Sequence, residues 1–239
     1  MRCLSRNDLE RIGERVVKSY RKLPEFNGKT IYSIMPSVLI EKVLKLKMEY
    51  HHLSLDGLVL GVTTSYSDIG YRVFDIRDEE QYIYFDGKTV LIERDLKDDI
   101  ALQGRLHYTE AHEAGHQVLS MLFPEDYNAS PQKLHFCMAE PVRNEINWKE
   151  WQADTLASVL LMPKEIVKQA LFLFGFGETI PRINRVYSSE DYWRFSMMAE
   201  LLGVSKQALS IRISQLGLVE RNDFDDPYAI IDVFNYGGM

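Results

Sequence analysis

The sequence has little that would suit a disulfide-rich, membrane-spanning or nucleic-acid-coating protein. Its only two cysteines are Cys3 and Cys137, so no disulfide framework is expected and a reducing compartment is favoured. The 28 lysines and arginines are outnumbered by 35 aspartates and glutamates, and the formal net charge of −7 disfavours a broad phosphate-binding surface. The N-terminal residues hold no apolar segment of signal-peptide length, and no apolar run approaches membrane-spanning length. We therefore expect a cytoplasmic protein that does not enter a membrane.

The sequence does have enough apolar residues for one sizeable core. With 239 residues, 46% of them hydrophobic, the chain can form one globular domain with a small appendage. Ser5 is placed to cap an N-terminal helix whose apolar residues recur every three or four positions. Pro36 marks the start of a second helix. Neither segment carries residues that indicate a chemical function.

Short segments after the second helix have the β-branched and aromatic composition of strands, and turn-forming residues separate them. The clearest hairpin joins residues 81–85 to residues 89–93 across Asp86-Gly87-Lys88, where the glycine can adopt a positive φ. We predict that residues 89–93 form the edge strand of a small sheet. Two roles are open for this sheet: support of the helices, or direct binding of a substrate.

The most informative stretch is His112-Glu113-Ala114-Gly115-His116, within a run that is expected to be helical. On a helix, His112 and His116 lie four residues apart on one face, close enough to bind the same zinc ion, and Glu113 lies beside them. Such a pattern arises by chance in roughly one chain in a hundred of this length. The motif therefore needs a third ligand from another segment before it predicts a zinc peptidase.

A second helix, expected from Asn147 onward, carries two acids one helical turn apart. Glu150 and Asp154 share a face of this helix, which is either a solvated acidic surface or part of the metal site. In the second interpretation Glu150 is the third zinc ligand, and Asp154 accepts a hydrogen bond from a ligand histidine and so selects its tautomer. The histidine pair upstream favours this second interpretation.

The two motifs together resemble those of the ImmA/IrrE family of zinc metallopeptidases. The matching residues are Thr109-x-Ala111-His112-Glu113-x-Gly115-His116 and Glu150-x-x-Ala153-Asp154-x-x-Ala157-x-x-Leu160-Leu161-Met162-Pro163. The sequence departs from the family at Leu106-His107-Tyr108, where a basic-aromatic run is common, and at Asp154, where asparagine is frequent. The resemblance covers about residues 46–218.

The resemblance implies an α+β fold with a zincin-like metallopeptidase core. This core would contain a small mixed sheet with an edge strand, the HExxH active-site helix and a second ligand helix, followed by a C-terminal segment like a helix-turn-helix. His112, His116 and Glu150 would bind Zn2+. The substrate would be a helix-turn-helix repressor of a mobile element or stress regulon, cleaved to derepress its genes.

The chemistry expected at such a site is hydrolysis of a peptide bond. Zinc with three protein ligands keeps a position for water and lowers the pKa of that water towards roughly 7, and Glu113 is the expected base. Candidates for stabilising the oxyanion, by location and residue type alone, are Tyr127, His135 and Arg143. The peptide is expected to bind as an extended strand along Thr89, Val90, Leu91 and Ile92.

Residues 195–218 have the spacing of a helix-turn-helix. A glycine turn at Gly203 and a serine cap at Ser205 separate two helices. The second helix offers Lys206 and Arg212 as cations, which is little charge for DNA binding, so protein docking or packing is favoured. A different function stays open, that of a regulatory protein that engages DNA or a repressor through these helices and keeps a structural zinc site.

These patterns divide the chain into four parts. They are an N-terminal helix packed on the core (1–30), the metallopeptidase domain (31–180), the helix-turn-helix-like subdomain (190–219) and a tail (220–239). His51, His52 and His107 are assigned to surface or packing roles.

Overall fold

The structure, a computed structural model, describes residues 3–76, 80–128, 133–139, 147–183 and 188–220. The helices are α1 Arg6–Arg21, α2 Pro36–Val38 with a π-helical continuation Leu39–Val43, α3 Arg94–Asp98, α4 Gln103–Leu122, α5 Pro124–Asn128, α6 Trp148–Leu161, α7 Lys164–Leu173, α8 Ser189–Leu202 and α9 Lys206–Gln215. The strands are β1 Lys47–His51, β2 Val59–Thr63, β3 Ser67–Val73, β4 Gln81–Asp86, β5 Thr89–Glu93 and β6 His135–Met138. No helix in these ranges is both long and apolar enough to cross a membrane.

A four-stranded mixed sheet forms one layer of the fold, with the strand order β1-β5-β2-β6. β1 and β5 are parallel, with Lys47 opposite Thr89, whereas β2 pairs antiparallel with both β5 and β6. β3 and β4 form a separate two-stranded antiparallel sheet. The fold is therefore α+β with a small mixed sheet, as the sequence predicts.

The prediction that residues 89–93 form an edge strand is wrong. The segment does form β5, but β5 lies between β1 and β2, and all five of its residues are buried. Thr89, Val90, Leu91 and Ile92 therefore have strands on both sides and cannot pair with a peptide. Continuous apolar runs such as Val-Leu-Ile are typical of strands that are covered on both faces.

The predicted hairpin between β4 and β5 is also wrong. β4 pairs with β3, and β5 belongs to the other sheet. Gly87 does adopt the positive φ that was expected, 77°. The turn at Gly87 therefore carries the chain from one sheet to the other instead of closing a hairpin.

Helix α4 runs through the core, and every residue from Thr109 to Ser120 is buried. Its two sides are covered by β2 and α6. At the crossing with α6, a Cβ on Gly115 would lie 3.0 Å from the carbonyl oxygen of Ala153. On the sheet side, a Cβ on Gly61 would lie 2.6 Å from Glu113 Oε1. These two glycines allow α4 to hold polar side chains between two closely packed layers.

Helix α1 begins with the cap that the sequence predicts. Ser5 Oγ accepts a hydrogen bond from the Asp8 N–H at 3.2 Å, and the Asp8 carboxylate accepts one from the Ser5 N–H at 3.0 Å. This reciprocal pair is a capping box, which satisfies backbone donors at the start of the helix. The apolar face of α1 packs on α6.

The turn between α8 and α9 also forms as predicted. Gly203 is left-handed, with φ 68°, and Ser205 Oγ accepts a hydrogen bond from the Ala208 N–H at 3.1 Å. His107 on α4 holds this turn, because its Nδ1 lies 2.9 Å from the Gly203 carbonyl oxygen. The packing role predicted for His107 is thus confirmed.

Arg212 on α9 is fully buried and faces the body of the protein. Its Nε donates to the Met162 carbonyl oxygen at 2.9 Å, and its guanidinium pairs with the Glu10 carboxylate on α1. The interpretation of Arg212 as a cation available to DNA is therefore wrong. Lys206 is the remaining cation of α9.

Candidate metal centre

The two histidines of α4 and the first glutamate of α6 meet at one point. His112 Nε2 and His116 Nε2 lie 3.1 Å apart, and each lies 3.2 Å from Glu150 Oε2. Asn147 caps α6 by accepting a hydrogen bond from the Lys149 N–H at 3.1 Å, which starts the helix where Glu150 faces α4. The spacing of four residues on α4 and the cap on α6 therefore bring three potential ligands together.

The three atoms suit a small tetrahedral metal ion. Nitrogen and oxygen ligands about 2.0–2.1 Å from a tetrahedral zinc lie roughly 3.3 Å from one another, close to the separations in this triangle. Two imidazoles and one carboxylate are also a ligand set that zinc commonly takes in hydrolases. The residues present therefore fit zinc.

Asp154 lies one turn after Glu150 on α6 and orients His112. Its Oδ1 accepts hydrogen bonds from His112 Nδ1 at 2.8 Å and from the Tyr108 hydroxyl at 2.6 Å. His112 thus donates through Nδ1 to Asp154, and its Nε2, on the opposite side of the ring, faces the other two ligands. The sequence did not identify Tyr108, although its place one turn before His112 on the same helix face was a usable signal.

Glu113 is wholly buried against the sheet. Its Oε1 accepts a hydrogen bond from the Cys137 N–H on β6 at 3.1 Å, whereas Oε2 has no hydrogen-bond partner among the described residues. Burial raises the pKa of Glu113 to about 8. One oxygen is thus anchored, and the other remains open to a partner from outside the described residues.

Burial and hydrogen bonding act differently on the ligand residues. Burial, and then the neighbouring His135, lower the pKa of His116 to about 3, so this imidazole is neutral at pH 7. Burial opposes the charge on His112, but hydrogen bonds to Asp154 and Glu150 raise its pKa well above the usual value. Burial also opposes ionisation of Glu150, yet its hydrogen bonds with His112 and His116 hold its pKa well below the usual range. The three residues His112, His116 and Glu150 therefore attract a cation, and protons compete with a metal ion for their ligand atoms.

Two of the three oxyanion candidates border the ligands. The His135 ring, at the start of β6, stacks on the His116 ring with centroids 4.3 Å apart, and its Nδ1 lies 3.7 Å from Glu150 Oε1. The Tyr127 ring lies 5.7 Å from the His135 ring. His135 Nδ1 and the Tyr127 hydroxyl are buried and lack hydrogen-bond partners within the described ranges. Arg143 lies outside the described residues.

Cys137 brings a third type of ligand, a thiol, near the site. Its Sγ lies within 4.8 Å of ligand atoms of His112 and Glu113. Burial raises the pKa of Cys137 to about 11, and a protonated thiol is a poor metal ligand. The His112, His116 and Glu150 set is therefore the better metal site.

A further group, His52, Glu93 and Asp95, also brings its ligand atoms together. The Glu93 carboxylate already accepts hydrogen bonds from the Leu53 N–H at 2.7 Å and from His52 Nδ1 at 2.9 Å. His51 is likewise paired, with its Nδ1 2.5 Å from Asp75 Oδ2. The His52 contact joins the ends of β1 and β5, and the His51 contact joins β1 to the segment after β3. These contacts agree with the surface or packing roles predicted for both histidines.

The chain matches no protein-family model and no characterised protein. The functional assignment therefore depends on the residues of the site and their geometry.

Proposed function

We propose that this protein is a zinc-dependent endopeptidase of restricted specificity, with a zincin-like core. The triangle formed by His112, His116 and Glu150 carries the proposal, because it stands beside the buried Glu113, one of whose oxygens has no hydrogen-bond partner in the described ranges. A merely structural zinc site is normally closed by a fourth protein ligand. Here the neighbouring Glu113 and the buried polar atoms of His135 and Tyr127 suit reacting groups better than a closed site.

When bound, zinc would supply Lewis acidity and a more acidic water. Glu113 is the base: the Cys137 N–H holds Oε1, and Oε2 accepts the proton of the attacking water and passes it to the leaving amine. With a pKa of about 8 this carboxyl is largely protonated at pH 7, and the positive charge of a bound zinc would lower the pKa into the range where a carboxylate is both ionised and basic. His135 and Tyr127 are the candidates for donating hydrogen bonds to the oxygen of the cleaved carbonyl.

The peptide would bind at β6, and not at the buried β5. β6 begins at His135, next to Glu150, and within the described residues it pairs on one side only, with β2. An extended peptide can add to such an edge through backbone hydrogen bonds. We assign the substrate, on the resemblance to ImmA/IrrE peptidases, to helix-turn-helix repressors of a mobile element or stress regulon.

The alternative, a regulatory protein that binds DNA or a repressor through α8 and α9, is weakened by the burial of Arg212. Without that residue, α9 retains Lys206 as its only cation. A single helix with one cation has little to neutralise phosphates. Zinc binding without hydrolysis of any partner, together with salt-sensitive binding to a defined DNA, would instead support this alternative.

The test is cleavage of a repressor whose gene lies beside that of this protein. We expect wild-type protein to contain about one zinc per chain and to cut the repressor. Glu113→Gln should keep its zinc and lose at least about 100-fold in cleavage rate, because it lacks the base. Glu110→Gln changes a buried glutamate one turn away and is the matched control. Full cleavage by Glu113→Gln would sink the mechanism.

A further inference from the structure

A cavity lies among α1, α4, α6 and α9, on the Asp154 side of the metal centre. Its volume is about 560 Å3, which is within the usual range for pockets that bind small molecules. Arg6 and Arg105 line it together with Trp151 and Asp154. We call it the arginine cavity.

The arginine cavity is distinct from the place where a peptide would be cut. Tyr108 and Asp154 line it, but none of the three proposed zinc ligands does. Asp154 contacts the Nδ1 side of the His112 ring, whereas Nε2, on the other side of the ring, faces the remaining ligands. A molecule bound in the cavity would therefore be near Asp154 and would not reach the proposed zinc ligands or Glu113.

The charge of the cavity favours an anion. Arg6 and Arg105 are exposed, and neither guanidinium has an ion pair or hydrogen bond within the described part of the chain. The single lining carboxylate, Asp154, already accepts two hydrogen bonds through Oδ1. Arginine pairs readily with carboxylate and phosphate groups because it offers parallel N–H donors.

The remaining lining is largely apolar. Leu161, Met162 and Val204 are buried beneath it, and Ile211 of α9 lines it with 49% of its surface exposed. Trp151 is half-buried and adds an indole ring. A ring or short aliphatic body would thus be covered, while its charged group meets the arginines.

The helix ends give additional support. Arg6 begins α1, Gly104 and Arg105 lie in the first turn of α4, and Ser205 caps α9. The N-terminus of a helix carries a partial positive charge, which adds to the attraction of the two guanidinium groups for an anion.

We propose that the arginine cavity binds a small organic anion with an apolar body and a carboxylate or phosphate group. Because Asp154 is an ionised carboxylate that also lines the cavity, the apolar body of the occupant, and not its charged group, is expected to face Asp154. The binding itself does not depend on the proposed peptidase activity, so a failure of one leaves the other standing.

The test uses a matched pair of fluorescent probes with the full-length protein. Anilinonaphthalene sulfonate has an apolar body with one negative charge, and N-phenylnaphthylamine has a similar body without the charge. We expect the anionic probe to bind with a dissociation constant below about 1 mM. Arg6→Gln and Arg105→Gln should each weaken it about five- to tenfold, with no comparable effect on the neutral probe.

Two further variants separate this cavity from the rest of the surface. Arg15→Gln removes an exposed arginine of α1 that does not line the cavity and should not change binding of the anionic probe. Ala208→Phe fills the cavity from α9 and should abolish binding of both probes, with thermal unfolding used to confirm that the variant folds. Naphthoate and naphthyl phosphate, added as competitors, distinguish a carboxylate from a phosphate preference.

Three outcomes would overturn the proposal. They are no binding of the anionic probe below about 1 mM, equal affinities for wild type and the double Arg6→Gln/Arg105→Gln variant, and displacement by neither competitor. Displacement by either one supports it.

Discussion

Asp154 restrains two residues of α4 through a single oxygen atom. His112 Nδ1 and the Tyr108 hydroxyl both donate to Asp154 Oδ1. An acceptor in this position fixes the tautomer and the rotation of a ligand histidine, and such partners commonly affect metal affinity strongly. Tyr108 adds a second restraint, which holds the carboxylate itself in place.

We expect Asp154→Ala to weaken zinc binding about 10- to 100-fold, because His112 loses the acceptor that orients it. Asp154→Asn keeps an acceptor oxygen and should weaken binding less. Competition with a fluorescent zinc chelator measures both affinities. Tyr108→Phe leaves the bond between His112 and Asp154 and removes only the restraint on the carboxylate, so it should weaken zinc binding less than Asp154→Ala does. Equal zinc affinity in wild type and Asp154→Ala would contradict this role.

Helix α4 carries a second buried acid, Glu110, away from the metal ligands. Its side chain accepts a hydrogen bond from the Tyr50 hydroxyl at 2.9 Å. Burial, only partly offset by this bond, raises the pKa of Glu110 from 4.5 to about 7. The folded protein therefore holds a proton here at pH values where the unfolded chain has released it.

This difference predicts how stability changes with pH. As pH rises from 4.5 to about 7, the unfolded chain releases the Glu110 proton and the folded protein keeps it, so the free energy of unfolding should fall. The loss is of order 3 kcal/mol, and it levels off above the folded pKa. Urea unfolding at several pH values should show a smaller decrease in Glu110→Gln. The exposed Glu14→Gln is the control, and an unchanged slope in Glu110→Gln would show the interpretation to be mistaken.

Strand β5 shows that the secondary structure of a segment can be predicted from its own residues, whereas its position in a sheet cannot. The composition of β5 predicts a strand, and residues 89–93 do form one. Its neighbours, however, come from residues 47–51 and 59–63, and pairing over such separations leaves little trace in a single strand's pattern. Because β5 is an interior strand, we expect the peptide to bind instead at β6, which is a strand of four residues.

At the scale of the whole molecule, Arg212 joins the two ends of the described chain. It bonds to Glu10 on α1 and to the Met162 carbonyl after α6. Its side chain has 0% exposure, against 20% for Glu10. A buried guanidinium needs these partners, because an unpaired buried charge costs several kcal/mol.

We expect Glu10→Gln to lower the free energy of unfolding by roughly 3 kcal/mol, since it leaves the Arg212 charge buried without a counter-ion. The double variant Glu10→Gln/Arg212→Met should recover part of that loss, because it removes the stranded charge as well. Denaturant unfolding of the single and double variants gives both values.

Arg11→Met is the control, because it breaks an exposed pair with Asp8 and should change the free energy of unfolding by less than about 1 kcal/mol. A similarly small effect of Glu10→Gln would rule out the buried pair as a major restraint.

Helical spacing and local caps can be predicted from the sequence, and several parts of this protein depend on them alone. His112 and His116 meet because they are four residues apart on α4, and Glu150 and Asp154 share a face of α6 for the same reason. Ser5 and Ser205 cap helices, and Gly203 ends one, because each acts on backbone groups within a few residues.

The groups that surround those motifs are set by contacts between distant segments of the chain. These contacts bury β5, give Glu113 a backbone donor from Cys137, pair Tyr108 with Asp154, turn Arg212 inward and form the arginine cavity. Each of these features joins residues that are far apart in the chain. A periodic pattern states which face of an element is apolar or polar, but it does not state which other element will cover that face.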